Sequence, residues 1–251
     1  MAELDVVLMA AGLGSRLGDL TRSLPKALIS VANKPLLAYG LAFARLLNPR
    51  NIFVVGGFEF DQVKTTLDNL KAGAASDLPI QLVQNNEFRR GNILSFQAAR
   101  PHLQGEFLLL NVDHIYRPAI AQIVAQPASD VTGFIDTDRN LGNDDMKVLR
   151  NPSGQIQEIA KTLTKWDCGY VGMTRVPASA RNRYLSEVDA AMAQDGLDIH
   201  VERVLARLAR TSSAPLCRDI SGHGWLEVDT PDERSHAEAQ LGDGTWAGLR
   251  A

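Results

Sequence analysis

Residues 8–16 read Leu8-Met9-Ala10-Ala11-Gly12-Leu13-Gly14-Ser15-Arg16, and the run continues through Thr21 to Pro25-Lys26 and Lys34-Pro35. A buried first strand breaks here into a loop of small residues, which carries one arginine and is followed at a distance by one lysine. Two glycines let backbone N–H groups turn towards an anion and come close to a phosphate. Arg16 and Lys26 add full positive charges of the kind that clamp a transferring phosphoryl group. The stretch points to a nucleoside triphosphate site, with a plain turn as the alternative for the glycines taken alone. Two familiar phosphate loops are excluded. Neither glycine opens a Walker A string, G-x-x-x-x-G-K-[ST]. The dinucleotide fingerprint G-x-G-x-x-G fails at Leu17, with Gly18 one place late.

Outward from this loop, apolar runs of strand length over 5–10, 51–55, 80–84, 107–110 and 131–135 alternate with helical patterns over 35–47, 61–71, 93–100 and 118–124. Strand then helix, repeated, predicts parallel strands with crossover helices and a sheet covered on both faces. Pro35 suits a first helical turn, where its missing N–H costs nothing. Ligands bind such sheets beyond the carboxyl ends of the strands, which is where the loops of interest fall. In the second half, a hairpin is expected over 146–150 and 155–159 around the polar turn Asn151-Pro152-Ser153-Gly154. A strand over 169–173, helices near 178–193 and 200–209, strands around 214–219 and 225–228, and a helix from Pro231 follow. No repeat, low-complexity tract or linker interrupts the chain. The stretch from Gly242 to Ala251 reads as a loosely held tail.

With 251 residues, 45% of them hydrophobic, the chain can bury one substantial core, and a single α/β domain over 1–251 is the simplest expectation. The net charge of −3 leaves no basic footprint for nucleic acid, and like charges form no run. Cys168 and Cys217 are too few for a disulfide scaffold and fit no zinc spacing; they read as small buried thiols in a reducing compartment. The apolar run over 6–11 is too short for a signal-peptide core and follows Glu3 and Asp5 rather than lysines. No apolar stretch approaches the roughly 20 residues of a membrane helix. A soluble, cytoplasmic protein is expected, and no segment speaks to its oligomeric state.

Asp113 follows the apolar run over 107–110 and so stands at the mouth of the sheet. Mg²⁺ takes one or two carboxylates with substrate phosphates and waters, which makes Asp113 a candidate ligand; capping the next helix is the alternative. Asp229, in Trp225-Leu226-Glu227-Val228-Asp229-Thr230-Pro231, repeats the arrangement, and capping is a stronger rival there because Asp-Thr-Pro is a sound helix start. Asn85, Asn92 and Ser95 carry amides and a hydroxyl that a pyrimidine can use, or they serve loops and caps. Lys147 points either at the site or at solvent. His114 shapes the metal site or simply packs. It is not needed as a base, since a phosphate monoester is already a dianionic nucleophile near neutral pH. His200 and His223 read as structural or exposed, Ser15 lacks any triad partner, and Trp225 reads as a core residue. Trp166 reads as a wall residue that could stack on an acceptor ring.

Gly12-x-Gly14-x-Arg16, Thr21, Pro25-Lys26 and Lys34-Pro35-Leu36 together resemble the opening motif of the sugar-phosphate nucleotidyltransferases, G-x-G-x-R, T, P-K and K-P. The resemblance implies a Rossmann-like three-layer α/β sandwich with a mostly parallel mixed sheet, of the nucleotide-diphospho-sugar transferase type. It implies a nucleotide-binding half over about 1–115 and an acceptor-binding half over about 116–241. By the same resemblance the backbone from Ala10 through Ala11 and Gly12 to Gly14 holds base and phosphates. Arg16 takes the β- and γ-phosphates, and Lys26 the α-phosphate. The D-T-P-[ED] setting of the family's second magnesium aspartate is reproduced at Asp229, so Asp113 and Asp229 are expected to share one Mg²⁺.

Finer strings are similar to those of inositol-1-phosphate cytidylyltransferases. Asn111-Val112-Asp113-His114-Ile115-Tyr116 resembles their S/G-D-H-[IV]-Y, and Asp144-Asp145-Met146-Lys147-Val148 resembles their acidic-then-T-K-V strand with Met146 for threonine. Ile159-Ala160-Lys161-Thr162-Leu163 with Trp166-Asp167-Cys168-Gly169 resembles G-K-x-L and D-[TC]-G, at a shorter spacing. Arg90-Gly91-Asn92-Ile93-Leu94-Ser95 resembles G-N-x-x-S and departs from the Q-x-x-G-T-A of thymidylyl- and uridylyltransferases. The resemblance implies that Lys161 contacts the acceptor phosphate and that Asp167, with Lys147, lies in the acceptor site. An exposed strand-edge lysine and a loop aspartate are the alternatives for Lys161 and Asp167.

The expectation is a Mg²⁺-dependent transfer from a nucleoside triphosphate, CTP by preference, to a cyclitol or sugar 1-phosphate such as inositol 1-phosphate, with release of pyrophosphate. Phosphocholine and phosphonates are alternative acceptors, and a hexose-1-phosphate guanylyltransferase is a further rival. A nucleotide-sensing module is the non-enzymatic alternative, and a dehydrogenase lacks its fingerprint. Inositol phosphate cytidylyltransferases are sometimes fused to a membrane phosphotransferase, and the sequence does not say whether a separate enzyme of that kind is a partner.

Overall fold

The computed structural model describes residues 4–242 and 246. β1 (Asp5–Met9) leads through two 3₁₀ turns, Ser15–Thr21 and Lys26–Leu28, to the small hairpin β2 (Ser30–Val31) and β3 (Lys34–Pro35). Next come α1 (Leu36–Arg45), β4 (Asn51–Gly56), α2 (Phe60–Ala72), β5 (Ile80–Gln84), α3 (Ile93–Ala99) and β6 (Phe107–Asn111). They are followed by β7 (His114–Tyr116), α4 (Ile120–Ala125), β8 (Thr132–Asp136), the hairpin β9 (Lys147–Arg150) and β10 (Ile156–Ala160), and the long β11 (Cys168–Val176). α5 (Arg181–Asp195), α6 (Glu202–Leu208), β12 (Leu216–Asp219), β13 (Trp225–Glu227) and α7 (Pro231–Leu241) complete the described chain.

β1 is buried along its whole length, and apolar after Asp5, because both its faces are covered. Val6 and Leu8 join a core with Leu37 and Leu41 of α1 and Val63 of α2. Val7 and Met9 join a second core with Phe96 of α3, Tyr184 of α5 and Leu205 of α6. Helices thus cover both faces of one nine-stranded sheet, the expected sandwich. β5, β4, β1 and β6 pair in parallel, and β8 pairs β12 in parallel; only β10 and β11 run against the rest.

β11 is where the structure departs from simple alternation. The expected strand over 169–173 extends over nine residues and separates β8 from β6. Its first residues pair with β9 and its last with β6, while β8 lies along its other edge. The register shifts between Tyr170 and Thr174, and Gly172 has φ +69°. A bulge of this kind bends a strand and re-aims its neighbours. The edge opened between β9 and β6 faces the mouth of the sheet.

The expected helix near 178–193 divides into a 3₁₀ turn at Ala178–Ala180 and α5. Of the expected tail over 242–251, Gly242 and Trp246 are described. Trp246 is buried under the Arg117 guanidinium, 4.8 Å from its ring centroid, and the other tail residues lie outside the described ones. No described helix is long and apolar enough to cross a membrane.

Candidate active site

The glycine loop is built around a lysine. Gly14 has φ +65°, and a Cβ there would lie 2.8 Å from the Cβ of Lys26, so only glycine admits the lysine stem. Thr21 Oγ1 donates to the Gly14 carbonyl at 2.8 Å, as does Leu17 N–H at 2.9 Å, and these bonds fix the turn. Ala11, Gly12, Gly14, Ser15 and Arg16 line a cavity of about 260 Å³, and Lys26 stands at its wall. Ala10 is not at the surface of this cavity: its N–H donates to Val55 carbonyl in the sheet and its side chain is buried. Of the loop residues expected to hold nucleotide, Ala11, Gly12 and Gly14 line the cavity and Ala10 does not.

Two carboxylates meet at Lys26. Asp113 lies between β6 and β7, and Asp229 follows β13. β7 and β13 pair antiparallel, and Val228 N–H donates to Asp113 carbonyl at 2.9 Å, so this small ribbon sets the two aspartates side by side. Lys26 Nζ donates to Asp113 Oδ2 at 2.5 Å and to Asp229 Oδ1 at 2.6 Å. Arg16 forms an ion pair with the other oxygen of Asp229 and lies 3.5 Å from Asp144. Neither aspartate caps a helix through its side chain. Thr230 caps α7 in a reciprocal box with Glu233, and Asp113 runs directly into β7. The Asp229 carboxylate therefore remains in the cavity.

Burial and mutual charge set the electrostatics. Burial alone would lower the Lys26 pKa, but Asp113 and Asp229 outweigh it and raise it. Burial would raise Asp113, yet Lys26 and His114 hold it well below the usual carboxylate range. His114 Nδ1 lies 2.6 Å from Asp113 Oδ1. Against the pull of burial, Asp113 and Glu227 raise the His114 pKa. Its ring stacks on Trp225 at 5.0 Å and 11°. Gly172 permits this, since a Cβ there would meet the imidazole at 2.9 Å. Glu227 is raised, first by burial, and Arg139 pairs with it at 3.0 Å while lying over Trp225.

Asp113 and Asp229 hold an ammonium between hard oxygen donors, which is the donor set Mg²⁺ takes when substrate phosphates and waters complete its shell. No group of three or more His, Cys, Asp or Glu gathers as a metal cage among the described residues. The pair fits a substrate-completed site, and these two residues are the ones that would hold the ion.

The other expected residues divide. Asn92 and Ser95 line the cavity beside the glycine loop, and Asn92 Oδ1 also accepts from Val201 N–H at 2.7 Å. Asn85 sits behind Ser95, donating to its Oγ at 3.0 Å, and is buried away from the cavity. Lys161 lines the adjoining cavity of about 150 Å³ together with Asp113, His114 and Asp229. Lys147 points at neither site nor solvent. It is buried, donating to the carbonyls of Gly142 and Lys161 at 2.6 and 2.9 Å, and lies over Trp166. Asp167 is drawn away from the cavities by Arg150, whose Nε donates at 2.8 Å and backbone N–H at 3.1 Å. Cavity residues to which the sequence reading gave no role include Tyr170, Gly172, Glu202 and Glu227; His200, read as structural or exposed, also lines it. Glu227 could have been found from the strand pattern ending in Asp229, whereas Glu202 sits in no recognisable string.

The MobA-like NTP transferase domain model matches residues 6–211. A bifunctional IPC transferase and DIPP synthase of Aquifex aeolicus is 27% identical over 94% of this chain and 51% of that protein. The protein of the same description from Rubrobacter xylanophilus is 31% identical over 95% and 52%. The chain thus spans about half the length of these curated relatives. Among solved structures, the inositol-1-phosphate CTP transferase from T. maritima superposes with a TM-score of 0.79 at 18% identity, covering 97% of each chain. That likeness extends the shared fold beyond residue 211, where the family model ends. With β1, the glycine loop, Lys26 and Asp113 inside the matched span, this chain belongs to the MobA-like NTP transferase domain family.

Proposed function

We propose that the protein is a cytidylyltransferase joining CTP to a cyclitol or sugar 1-phosphate. The observation that carries this reading is the meeting of Lys26 with Asp113 and Asp229 at the mouth of the glycine loop, with Lys161 in the adjoining cavity that the two aspartates also line. An acceptor phosphate oxygen attacks the α-phosphorus in line; the new P–O bond forms as the bond to the β-phosphate oxygen breaks and pyrophosphate leaves. The nucleophile is already an anion, so the chain supplies positioning and charge rather than a base. Arg16 and Lys26 neutralise the triphosphate, and Lys161 draws in the acceptor phosphate. Gly12 and Gly14 bring backbone against the phosphates, while Asn92 and Ser95 offer an amide and a hydroxyl to the base. Mg²⁺, held by Asp113 and Asp229, would supply Lewis-acid neutralisation of the phosphates.

The reading is supported by the Gly91-Asn92-Ile93-Leu94-Ser95 string and by relatives whose names include IPC transferase. The test is a donor-by-acceptor matrix with Mg²⁺: four nucleoside triphosphates against inositol 1-phosphate, glucose 1-phosphate, mannose 1-phosphate, phosphocholine and a phosphonate. Pyrophosphate release and product mass are measured. A CMP-linked cyclitol or sugar is expected. Product only from GTP would replace the donor, and no pyrophosphate from any pair would reject the class.

A further inference from the structure

Glu202 opens α6 and is 8% exposed, yet its Oε2 has no hydrogen-bond partner. A buried carboxylate oxygen left unpaired is costly, and such groups in folded proteins ordinarily find a donor. Glu202 stands at a seam. It lines the cavity that holds Asp113, Asp229 and Lys161, and also a larger adjoining one of about 510 Å³. Lys161 and His200 line both as well.

The other carboxylates of the larger cavity are already engaged. Asp195 accepts from Arg203 at 2.9 and 3.0 Å, and Asp198 from Arg90 at 3.0 and 3.1 Å. The segment carrying Glu202 is also tied to the nucleotide side. Asn92 accepts from Val201 N–H, and Gly91 packs so closely on Ile199 that a Cβ would meet its carbonyl oxygen at 2.0 Å. Glu202 is therefore held at a set distance from the glycine-loop cavity rather than on a free loop.

We propose that Glu202 reads the acceptor, accepting hydrogen bonds from ring hydroxyls of a polyhydroxylated phosphate whose phosphate rests on Lys161. This inference rests on the nucleotidyl-transfer reading and adds its selecting residue. The occupant is a polyol rather than a quaternary ammonium. Cages for such ammonium groups are built from aromatic faces, and no Phe, Tyr or Trp among the described residues lines the larger cavity. A carboxylate that must find hydroxyl donors also rejects an acceptor lacking them more sharply than an apolar pocket can.

The experiment compares the wild-type chain with Glu202→Ala and Glu202→Gln, each checked for folding by thermal melt. Steady-state rates are measured with CTP, Mg²⁺ and either inositol 1-phosphate, glucose 1-phosphate or phosphocholine. Glu202→Ala should raise the KM of the preferred polyol phosphate about 10- to 100-fold, as expected for losing a charged hydrogen-bond acceptor, with the KM for CTP unchanged. Glu202→Gln, which keeps one acceptor oxygen, should fall between. A deoxy analogue of the acceptor should lose rate with wild type but not with Glu202→Ala. An unchanged acceptor KM, an equal rise in the KM for CTP, or phosphocholine as the preferred acceptor overturns the proposal. If wild type turns over no pair, the nucleotidyl-transfer reading fails by itself, and calorimetric titration with inositol 1-phosphate and glucose 1-phosphate decides Glu202. Binding of either that weakens in Glu202→Ala upholds its role, and absence of binding or equal binding rejects it.

Discussion

Lys26 carries two tasks in one position, because its ammonium neutralises two carboxylates in a pocket where its side chain is 9% exposed. Removing one partner of a buried ion pair leaves charge unpaired and costs about 3–5 kcal/mol. Lys26→Ala should therefore lower the melting temperature, and Mg²⁺ should raise it more in this variant than in wild type, since the carboxylates then lack their ammonium; thermal shift measurements check this. In turnover, Lys26→Ala and Asp113→Ala should each lose on the order of 10²–10³ in kcat, as for other clamps on developing charge. Near wild-type turnover in either, with folding intact by circular dichroism, would remove these groups from the mechanism. The positions of Arg16, Lys26, Asp113 and Asp229 were readable because each sits in a short string next to a strand end, where local order and final place coincide. Asp167, Lys147 and Asn85 were not, because their directions depend on partners far along the chain or across a turn: Arg150, the Gly142 and Lys161 carbonyls, and Ser95. An isolated glutamate such as Glu202 carries no periodic or motif signal at all.

The ribbon of β7 and β13, only three residues per strand, has a large consequence, since its pairing sets Asp113 beside Asp229. Its outgoing strand is anchored by the reciprocal cap of α7, where Thr230 Oγ1 accepts from Glu233 N–H and the Glu233 carboxylate accepts from the N–H groups of Asp229 and Thr230. Thr230→Ala should cost about 1 kcal/mol, a fall of about 2–4 °C in melting temperature for a chain of this size, read by a thermal melt. β11 supports the ribbon from behind. Gly172→Ala would force a side chain into φ +69° and against His114, and should cost about 1–3 kcal/mol in denaturant titration. A cost near zero would mean that the bulge relaxes without moving the imidazole. Elements were readable where period and punctuation agree: Ile80–Gln84 appears with the bounds expected of it, and α1, α2 and α3 differ only at their ends. The insertion of β11 beside β6 was not readable, because strand order is chosen by long-range pairing that leaves no mark in local pattern.

Across the whole molecule the two cores bury every tyrosine and one of the two cysteines, and this sets how the fold meets alkali. Burial raises the phenols of Tyr39, Tyr116, Tyr170 and Tyr184, the only tyrosines in the sequence, with help from Glu238 at Tyr39, from Tyr170 and Asp113 at Tyr116, and from Glu202 at Tyr170 and Tyr184. Burial likewise raises the thiol of Cys168 and pushes that of Cys217 up to about 12. Each folded-state pKa lies above its unfolded value, so the native state keeps protons that the unfolded chain gives up. The unfolded state then binds fewer protons, and unfolding free energy falls with rising pH. This stability is complete below about pH 8.5 for the thiols and about pH 10 for the phenols, and is lost as pH climbs through the folded values. Tyrosinate absorbance should consequently appear in one cooperative step, coincident with loss of far-UV circular dichroism, instead of titrating near the free phenol value. At pH 8, Cys168 and Cys217 should react with a thiol reagent far more slowly in native protein than in urea. A tyrosine that ionises while the circular dichroism stays native, or a thiol that labels at the unfolded rate, would show that the core around that residue opens without global unfolding. The first place to look is Tyr116, which donates to the Val171 carbonyl at the bulge and stacks near His114, so its early ionisation would report the site loosening from the sheet.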